Sequence, residues 1–186
     1  MIIGKKLITY DQLSSTNQTA MELGKEGAEE GMVIYAKNQT AGRGKPGANW
    51  FAKSPGSLTF SLILRPRKNA DEISAITQVG ARALQKSLKD KFNLDATIKL
   101  PNDVLINGKK VCGILTERAQ DKNGAAFVVM GVGVNVNLAP EDFPADLALS
   151  ATSLQIELGK GVGLDLFFNA LLAETDKCYG AFLRRS

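Results

Sequence analysis

The chain has 186 residues, enough for one domain with a sizeable core, and its 44% apolar and 23% charged residues are typical of globular proteins. It contains no histidine and two cysteines, which excludes Ser-His and Cys-His catalysis, histidine metal sites and a disulfide framework. Its net charge of +4 comes from cations spread along the chain, so the charge only weakly favours a nucleic-acid partner.

The first half of the chain predicts a helix and two strands. Ser15-Thr16-Asn17 opens a short helix that runs to about Gly24, because Ser and Thr are good N-cap residues. Residues 32–36 are typical of a buried strand, and residues 57–64 alternate like a strand with one covered face. The glycine-rich stretch over residues 39–50 therefore joins two strands, unlike the strand-loop-helix units of P-loops and dinucleotide sites.

The second half predicts a helix, a hairpin, a strand and a last helix. A capping box at Asn69 and Glu72 precedes an apolar stripe that runs to Lys91. Residues 97–100 form a short strand, and Asn107-Gly108 predicts a type I′ turn between arms at 104–106 and 111–115. A buried strand over 127–137 and a helix over about 165–184 follow. Without regular strand-helix alternation, this order predicts one α+β domain over residues 1–186.

Two places in the chain carry charges suited to phosphate chemistry. The glycine-rich stretch holds Arg43 and Lys45, and its backbone N–H groups could surround a phosphate. Lys99 ends an apolar strand, where a fixed positive charge could stabilise a negative transition state. Each has an ordinary alternative, because the loop could be a solvated surface turn and Lys99 a solvated residue at a sheet edge.

Five segments become recognisable together. They are Ser-Thr-Asn at 15–17, Gln39 with Ala-Gly-Arg-Gly at 41–44 and Trp50, Lys99 with Pro-Asn-Asp at 101–103, Lys-Val-Cys-Gly-Ile-Leu-Thr-Glu at 110–117, and Gly-Val-Gly-Val-Asn-Val-Asn at 131–137. In this order they make the chain resemble the catalytic domain of biotin protein ligases over residues 11–138. Those enzymes make biotinyl-5′-AMP from biotin and ATP, with Mg²⁺, and pass biotin to a lysine of a biotin carboxyl carrier protein.

The resemblance implies a fold and a set of site residues. The fold is α+β, akin to class II aminoacyl-tRNA synthetases, with a mixed sheet backed by helices. The implied biotin-binding residues are Ser15, Thr16, Asn17, Gln39, Gly42, Arg43, Gly44, Lys45, Lys99, Gly113 and Leu115. The implied adenylate-binding residues are Arg43, Lys45, Trp50, Asn102 and Asn135. Lys99 and Arg43 are the implied catalytic residues. No metal ligand is assigned, since Asp103 could orient Mg²⁺ or cap the following turn.

Three positions depart from the family pattern. Lys45 and Ala48 stand where the family commonly has arginine, and Leu100 stands where it typically has tryptophan. Lysine cannot reproduce a bidentate guanidinium contact, and alanine carries no charge. We therefore expect fewer phosphate contacts and a weaker hold on biotinyl-AMP.

Other functions compete with the ligase reading. A noncatalytic biotin sensor would keep the pocket without turnover. A lipoate-protein ligase would need its Arg-Arg-x-Ser-Gly-Gly-Gly segment and a histidine, which this chain lacks. A nucleic-acid-binding module has only the overall positive charge in its favour.

The expected setting is a cytoplasmic enzyme with a carrier-protein partner. No run of about eighteen apolar residues could span a bilayer, and no signal peptide is evident. About ten residues precede the first motif and none follow Ser186, so we expect neither a helix-turn-helix domain nor an SH3-like C-terminal domain. We expect no specific DNA binding, no membrane association, and a monomer or homodimer.

Overall fold

The fold is built on one mixed β-sheet. The structure is a computed structural model that describes residues 1–45, 47–66 and 73–184. Within them, seven strands form a sheet of order β1-β2-β3-β7-β6-β5-β4, in which β1 and β2 pair parallel and the other neighbours antiparallel. The strands are β1 (Leu7–Leu13), β2 (Val33–Gln39), β3 (Ser57–Leu64), β4 (Thr97–Lys99), β5 (Asp103–Ile106), β6 (Lys109–Gln120) and β7 (Ala126–Asn135). The predicted α+β class is confirmed.

Within the described residues, four α-helices cover the sheet unequally. They are α1 (Thr16–Lys25), α2 (Ile73–Phe92), α3 (Leu154–Leu158) and α4 (Leu164–Leu183). Helices α2 and α4 pack on each other and on one face of the sheet, which we call the covered face. Helix α1 lies over part of the opposite face, the open face. The predicted capping box at Asn69 and Glu72 lies outside the described residues, and within those residues no helix is long and apolar enough to cross a membrane.

Strand β3, an interior strand of the sheet, is buried on both faces. All eight of its residues are buried, so the prediction of a single covered face was wrong. On the covered face the centre of the Phe60 ring lies 5.1 Å from the centre of the Phe168 ring of α4. On the open face Ser61 Oγ lies 2.8 Å from Thr16 Oγ1 at the start of α1. Serine and threonine look like solvent-facing residues in the pattern, but here they are buried with polar partners, since α1 provides one for Ser61 and the Ala36 carbonyl accepts from the Thr59 hydroxyl.

Two elements lack a prediction from the sequence, and one turn is confirmed. Strand β1 was missed, although Ile8 and Tyr10 pack toward α1 while Thr9, between them, is exposed. The five-residue helix α3 was also missed. The turn between β5 and β6 has positive φ at both Asn107 (50°) and Gly108 (78°), as the predicted type I′ turn requires.

Strand β6 contains a β-bulge that decides which side chains reach the open face. Val104 pairs with Cys112, but the next residue, Leu105, pairs with Lys110, so Val111 is an extra residue on β6. Val111 and Cys112 are both buried on the covered face. Without the bulge, strict alternation would turn Lys110 to the covered face, whereas the bulge returns it to the open face.

Candidate functional site

A cavity of about 230 Å³ opens on the open face of the sheet. It lies between the start of α1, the described part of the glycine-rich loop, and strands β5, β6 and β7. Eleven residues predicted from the sequence line it, namely Ser15, Thr16, Asn17, Gln39, Arg43, Gly44, Lys45, Trp50, Asn102, Gly113 and Leu115. Segments more than a hundred residues apart therefore meet at one place.

Part of the cavity wall carries buried hydroxyl and amide groups. Ser15 occupies the N-cap position of α1, as predicted, but its hydroxyl does not cap the helix. Gln39 Oε1 accepts hydrogen bonds from the Thr16 backbone N–H (2.7 Å) and from the Thr16 hydroxyl (3.1 Å). Ser61 Oγ, beneath them, lies 2.6 Å from Asn17 Oδ1. These bonds fix the orientation of the Thr16 and Gln39 side chains before any ligand is present.

The mouth of the cavity is crossed by a chain of charged and amide groups. Asn17 Nδ2 donates to Glu117 Oε2 at 2.9 Å, and Arg43 Nη2 donates to Glu117 Oε1 at 2.8 Å. Asn17 is buried, Glu117 is half-buried and Arg43 is exposed. Glu117 stands in the β6 motif, but no role could be predicted for it from the sequence, since its partners are 74 and 100 residues away.

The Trp50 indole lies on a pair of glycines in neighbouring strands. Gly113 of β6 and Gly133 of β7 are cross-strand partners. A Cβ atom at Gly133 would lie 2.3 Å from Trp50 Cε2, and one at Gly113 would lie 2.9 Å from Trp50 Cζ3. Only glycine therefore leaves room for the ring here. Trp50 Nε1 is buried and has no hydrogen-bond partner among the described residues, so it remains available to a ligand.

Lys110 is a cavity residue that the sequence argument missed. Its Nζ lies 2.7 Å from Asp103 Oδ1 and 5.6 Å from the centre of the Trp50 ring. Asn102 Oδ1, beside Asp103, is buried without a hydrogen-bond partner in the described structure. The bulge at Val111 explains the omission, because strand alternation counted back from Gly113 assigns Lys110 to the core.

Three predicted residues do not line this cavity. Lys99 is exposed on the edge strand β4, although its pairing with Asp103 sets it on the open face. Gly42 is buried under Trp50, whose backbone N–H donates to the Gly42 carbonyl at 2.9 Å. Asn135 lines a smaller neighbouring cavity of about 90 Å³, which shares Trp50 and Lys110 with the first. The binding and catalytic roles of these three residues, like those of the eleven that line the cavity, stay predictions.

The electrostatics of the site favour charge stabilisation over nucleophilic catalysis by the protein. Burial raises the pKa of the Cys112 thiol well above its ordinary value, so this neighbouring cysteine is neutral and inert. Arg43, Lys45 and Lys110 instead place three cations around one cavity. Among the described residues no three His, Cys, Asp or Glu side chains converge as a metal site. The arrangement suits an anionic ligand whose own functional group, rather than a protein side chain, acts as the nucleophile.

Comparisons with known proteins show which family the chain belongs to. The sequence profile of the Biotin/lipoate A/B protein ligase family matches residues 9–135. The bifunctional ligase/repressor BirA of Bacillus subtilis is 40% identical over 161 residues, which cover 87% of this chain and 50% of that protein. The biotin–(acetyl-CoA-carboxylase) ligase of Paracoccus denitrificans is 36% identical over 160 residues, which cover 84% of this chain and 66% of that protein. The chain thus spans about half to two thirds of the length of these relatives.

A solved structure gives the same result for the fold. Biotin protein ligase from Aquifex aeolicus, in complex with biotin and ATP, superposes with a TM-score of 0.83 at 27% identity. The superposition covers 98% of this chain and 73% of that one. Since the family profile matches more than half of the chain, the chain belongs to the Biotin/lipoate A/B protein ligase family.

Proposed function

We propose that this chain is the catalytic domain of an ATP-dependent biotin protein ligase. It would form biotinyl-5′-AMP and transfer biotin to a lysine of a biotin carboxyl carrier protein. The observation that carries the proposal is one cavity lined both by buried amide and hydroxyl groups and by Arg43, Lys45 and Lys110. Such a cavity matches an acid with a polar ring at one end and a carboxylate at the other.

The hydroxyl and amide groups of the cavity suit the ureido ring of biotin. A urea has two N–H donors and one carbonyl acceptor, each of which needs a partner when buried. Ser15, Thr16 and Gln39 offer hydroxyl and amide groups there, and the Ser15 hydroxyl is not used to cap α1. The ring of lipoic acid has no such donors, so these hydroxyl and amide groups favour biotin over lipoate.

The three cations of the cavity, Arg43, Lys45 and Lys110, suit the transfer of an adenylyl group. The biotin carboxylate attacks the α-phosphorus of ATP, a new acyl–phosphate bond forms, and diphosphate leaves with the bonding electrons. Negative charge on the non-bridging oxygens is stabilised by cations that are already in place. In the second step the free amine of the carrier lysine attacks the acyl carbon, AMP leaves, and one proton is released.

We infer that Lys110, rather than Lys99, is the lysine that stabilises the negative charge during adenylyl transfer. Lys110 lines the cavity and is held by Asp103, whereas Lys99 is exposed at the sheet edge. A preorganised ammonium beside the reacting phosphate stabilises the transition state far more than a mobile, solvated one. Lys99 could still attract ATP or the carrier protein from the same face of the sheet.

Mg²⁺ would accompany ATP rather than occupy a protein cage. The described residues offer Asp103, whose carboxylate already pairs with Lys110, and the buried, unpartnered Asn102 Oδ1. Mg²⁺ is commonly held by one or two protein oxygens together with substrate phosphates and water. These two side chains fit that partial role, and the ion would neutralise phosphate charge.

The test is biotin-dependent exchange of labelled diphosphate into ATP, which reports adenylation without a carrier protein. We expect exchange with biotin and none with lipoate. Lys110→Ala should reduce the exchange rate by at least about a hundredfold, because one preorganised donor at a transition state contributes that much. Lys99→Ala should change it by about twofold or less, as exposed substitutions usually do.

Three outcomes would contradict parts of this proposal. Tight biotin binding without any exchange would indicate a noncatalytic sensor. Exchange with lipoate in place of biotin would assign the chain to the other branch of the family. If Lys99→Ala lost exchange while Lys110→Ala stayed active, the catalytic lysine would be Lys99, as first predicted.

The proposed partner and setting follow from this reaction. We infer that the acceptor is a biotin carboxyl carrier protein in the cytoplasm, where ATP is plentiful. Neither DNA nor a membrane takes part in the proposed reaction. The chain would act as a monomer or homodimer, which sedimentation at working concentration would distinguish.

A further inference from the structure

Glu117 bridges two parts of the cavity that are far apart in the chain. One carboxylate oxygen accepts from Arg43 of the glycine-rich loop (2.8 Å), and the other accepts from Asn17 of α1 (2.9 Å). Its side chain is 23% exposed, and that of Arg43 is 47% exposed. An ordinary ion pair at such exposure contributes little to stability. This carboxylate, however, has a second, buried partner that limits its conformational freedom.

The Asn17 end of the bridge is fixed by packing. Asn17 is 4% exposed, and its Nδ2 also lies 3.3 Å from the Leu115 carbonyl. Its Oδ1 lies 2.6 Å from Ser61 Oγ, and a Cβ at Gly131 would come within 1.9 Å of that oxygen. Asn17 therefore presents its amide to Glu117 in one orientation, which holds the carboxylate in place.

The Arg43 end depends on Glu117. Thr40 and Ala41 donate to carbonyls of the segment before α1, whereas the loop from Gly42 onward bonds to itself, as in the Trp50 N–H to Gly42 carbonyl contact and the bridge between Arg43 and Asn49. Within the described parts of the chain, the Arg43–Glu117 pair is the ion pair that joins this loop to the sheet. The contact uses one of the five guanidinium N–H donors and leaves the others for a ligand.

We propose that Glu117 is a positioning residue for the adenylation site, which holds the Arg43 guanidinium at the cavity mouth by linking it through Asn17 to the cavity wall. The inference rests on the proposed function, because Arg43 is useful there only if an anionic intermediate binds. A guanidinium that is already in place loses less conformational freedom when the ligand arrives. Glu117 thus acts on ligand retention through Arg43 and does not itself touch the reacting atoms.

The test compares Glu117→Ala and Glu117→Gln with Asp95→Ala, which removes a remote surface ion pair with Lys89 (2.8 Å). Trp50 is the single tryptophan and stands on the same loop segment as Arg43, so acrylamide quenching of its fluorescence reports loop anchoring without any ligand. We expect stronger quenching in both Glu117 variants than in wild type. Quenching in Asp95→Ala should equal that in wild type. Arg43→Ala should match Glu117→Ala, and the double variant should add nothing further.

The functional readout is the release of biotinyl-AMP in a chase with unlabelled ligand. We expect release from Glu117→Ala about tenfold faster than from wild type, which corresponds to about 1.4 kcal/mol. The KM for biotin should rise while kcat changes little, because the lost interaction acts on binding. Glu117→Gln keeps the side-chain volume, so it carries the test if the alanine variant does not fold.

Two results would overturn the inference. Unchanged quenching and release in both Glu117 variants would mean that Arg43 needs no anchor. Slower release would mean that Glu117 withholds Arg43 from the ligand. If wild type formed no adenylate at all, the proposed ligase function would fail, but the quenching comparison would still decide whether Glu117 anchors the loop.

Discussion

The two faces of the sheet divide stability from chemistry within the same strands. On the covered face, alternate residues of β3 are large and apolar, and Phe60 packs on Phe168. On the open face, the same strand presents Thr59 to the cavity and Ser61 to the start of α1. A rigid apolar layer on one side thus supports a polar site on the other, so substitutions on the two faces should have different consequences.

Strands β6 and β7 show the same division in their use of glycine. On the covered face β7 carries Met130 and valines at 128, 132 and 134, all within the main core. On the open face it carries Gly131 and Gly133, which leave room for Asn17 and Trp50. Small residues here make space for functional side chains, whereas large ones on the reverse side fill space.

The largest expected effect is on the covered face. Phe60→Ala should lower the free energy of unfolding by about 3–5 kcal/mol, because it leaves a cavity in the core. Phe60→Leu should cost less, since most of the volume remains. Chemical denaturation measures both, and the KM of the folded fraction should not change. A raised KM with unaltered stability would break the division between the faces.

A smaller effect is expected on the open face, from Gly133→Ala. The added methyl group must displace the Trp50 ring, and displacement of a cavity wall by about 1 Å can reduce turnover by about a hundredfold. Diphosphate exchange and the Trp50 emission spectrum should change together. Gly161→Ala is the matched control, because its nearest neighbouring atom is 3.9 Å away. Normal exchange with a shifted emission spectrum would show that Trp50 does not position the ligand.

The smallest effect concerns an ion pair near the end of α1, where Arg65 contacts Asp121 at 2.7 Å. The Arg65 guanidinium, aided by the backbone N–H groups of Asn123 and Ala125, lowers the pKa of Asp121 below its ordinary value of 3.8. A carboxyl group whose pKa is lowered by folding stabilises the folded state above pH 3.8, and this contribution is lost as the pH falls through the lower, folded value.

The Tm of wild type and Asp121→Asn should therefore differ at pH 7 and converge as the pH falls below 3.8. A thermal unfolding series from pH 7 to about pH 2.5 measures this, because these limits lie on either side of the ordinary pKa of 3.8. A constant difference in Tm across the series would show that the contact stabilises the fold without regard to the charge of Asp121.

The sequence predicted those features that depend on local pattern. The Asn107-Gly108 turn and the long helices α2 and α4 follow from residue type and periodicity, and the structure confirms them. Strand β1 was missed because it is an edge strand with exposed alternate residues. The order of seven strands depends on pairings across the whole chain, which a local pattern does not contain.

The candidate site was predicted unevenly for a similar reason. Eleven predicted residues meet at the cavity, because the motifs that carry the resemblance are the segments that line it. Lys110 was overlooked in favour of Lys99 because a bulge cannot be recognised from alternation. Glu117 gained its interest only from Arg43 and Asn17, which the fold brings from distant parts of the chain.

The bulge at Val111 has a consequence for the comparison of related chains. Because Val111 is the unpaired residue, a strand shortened by one residue here could keep the pairs Cys112–Val104 and Lys110–Leu105 unchanged. The same deletion between Gly113 and Glu117 would turn one of them away from the cavity. An alignment gap beside Cys112 therefore does not mean that the lysine has been lost, and relatives with different spacing can share one cavity geometry.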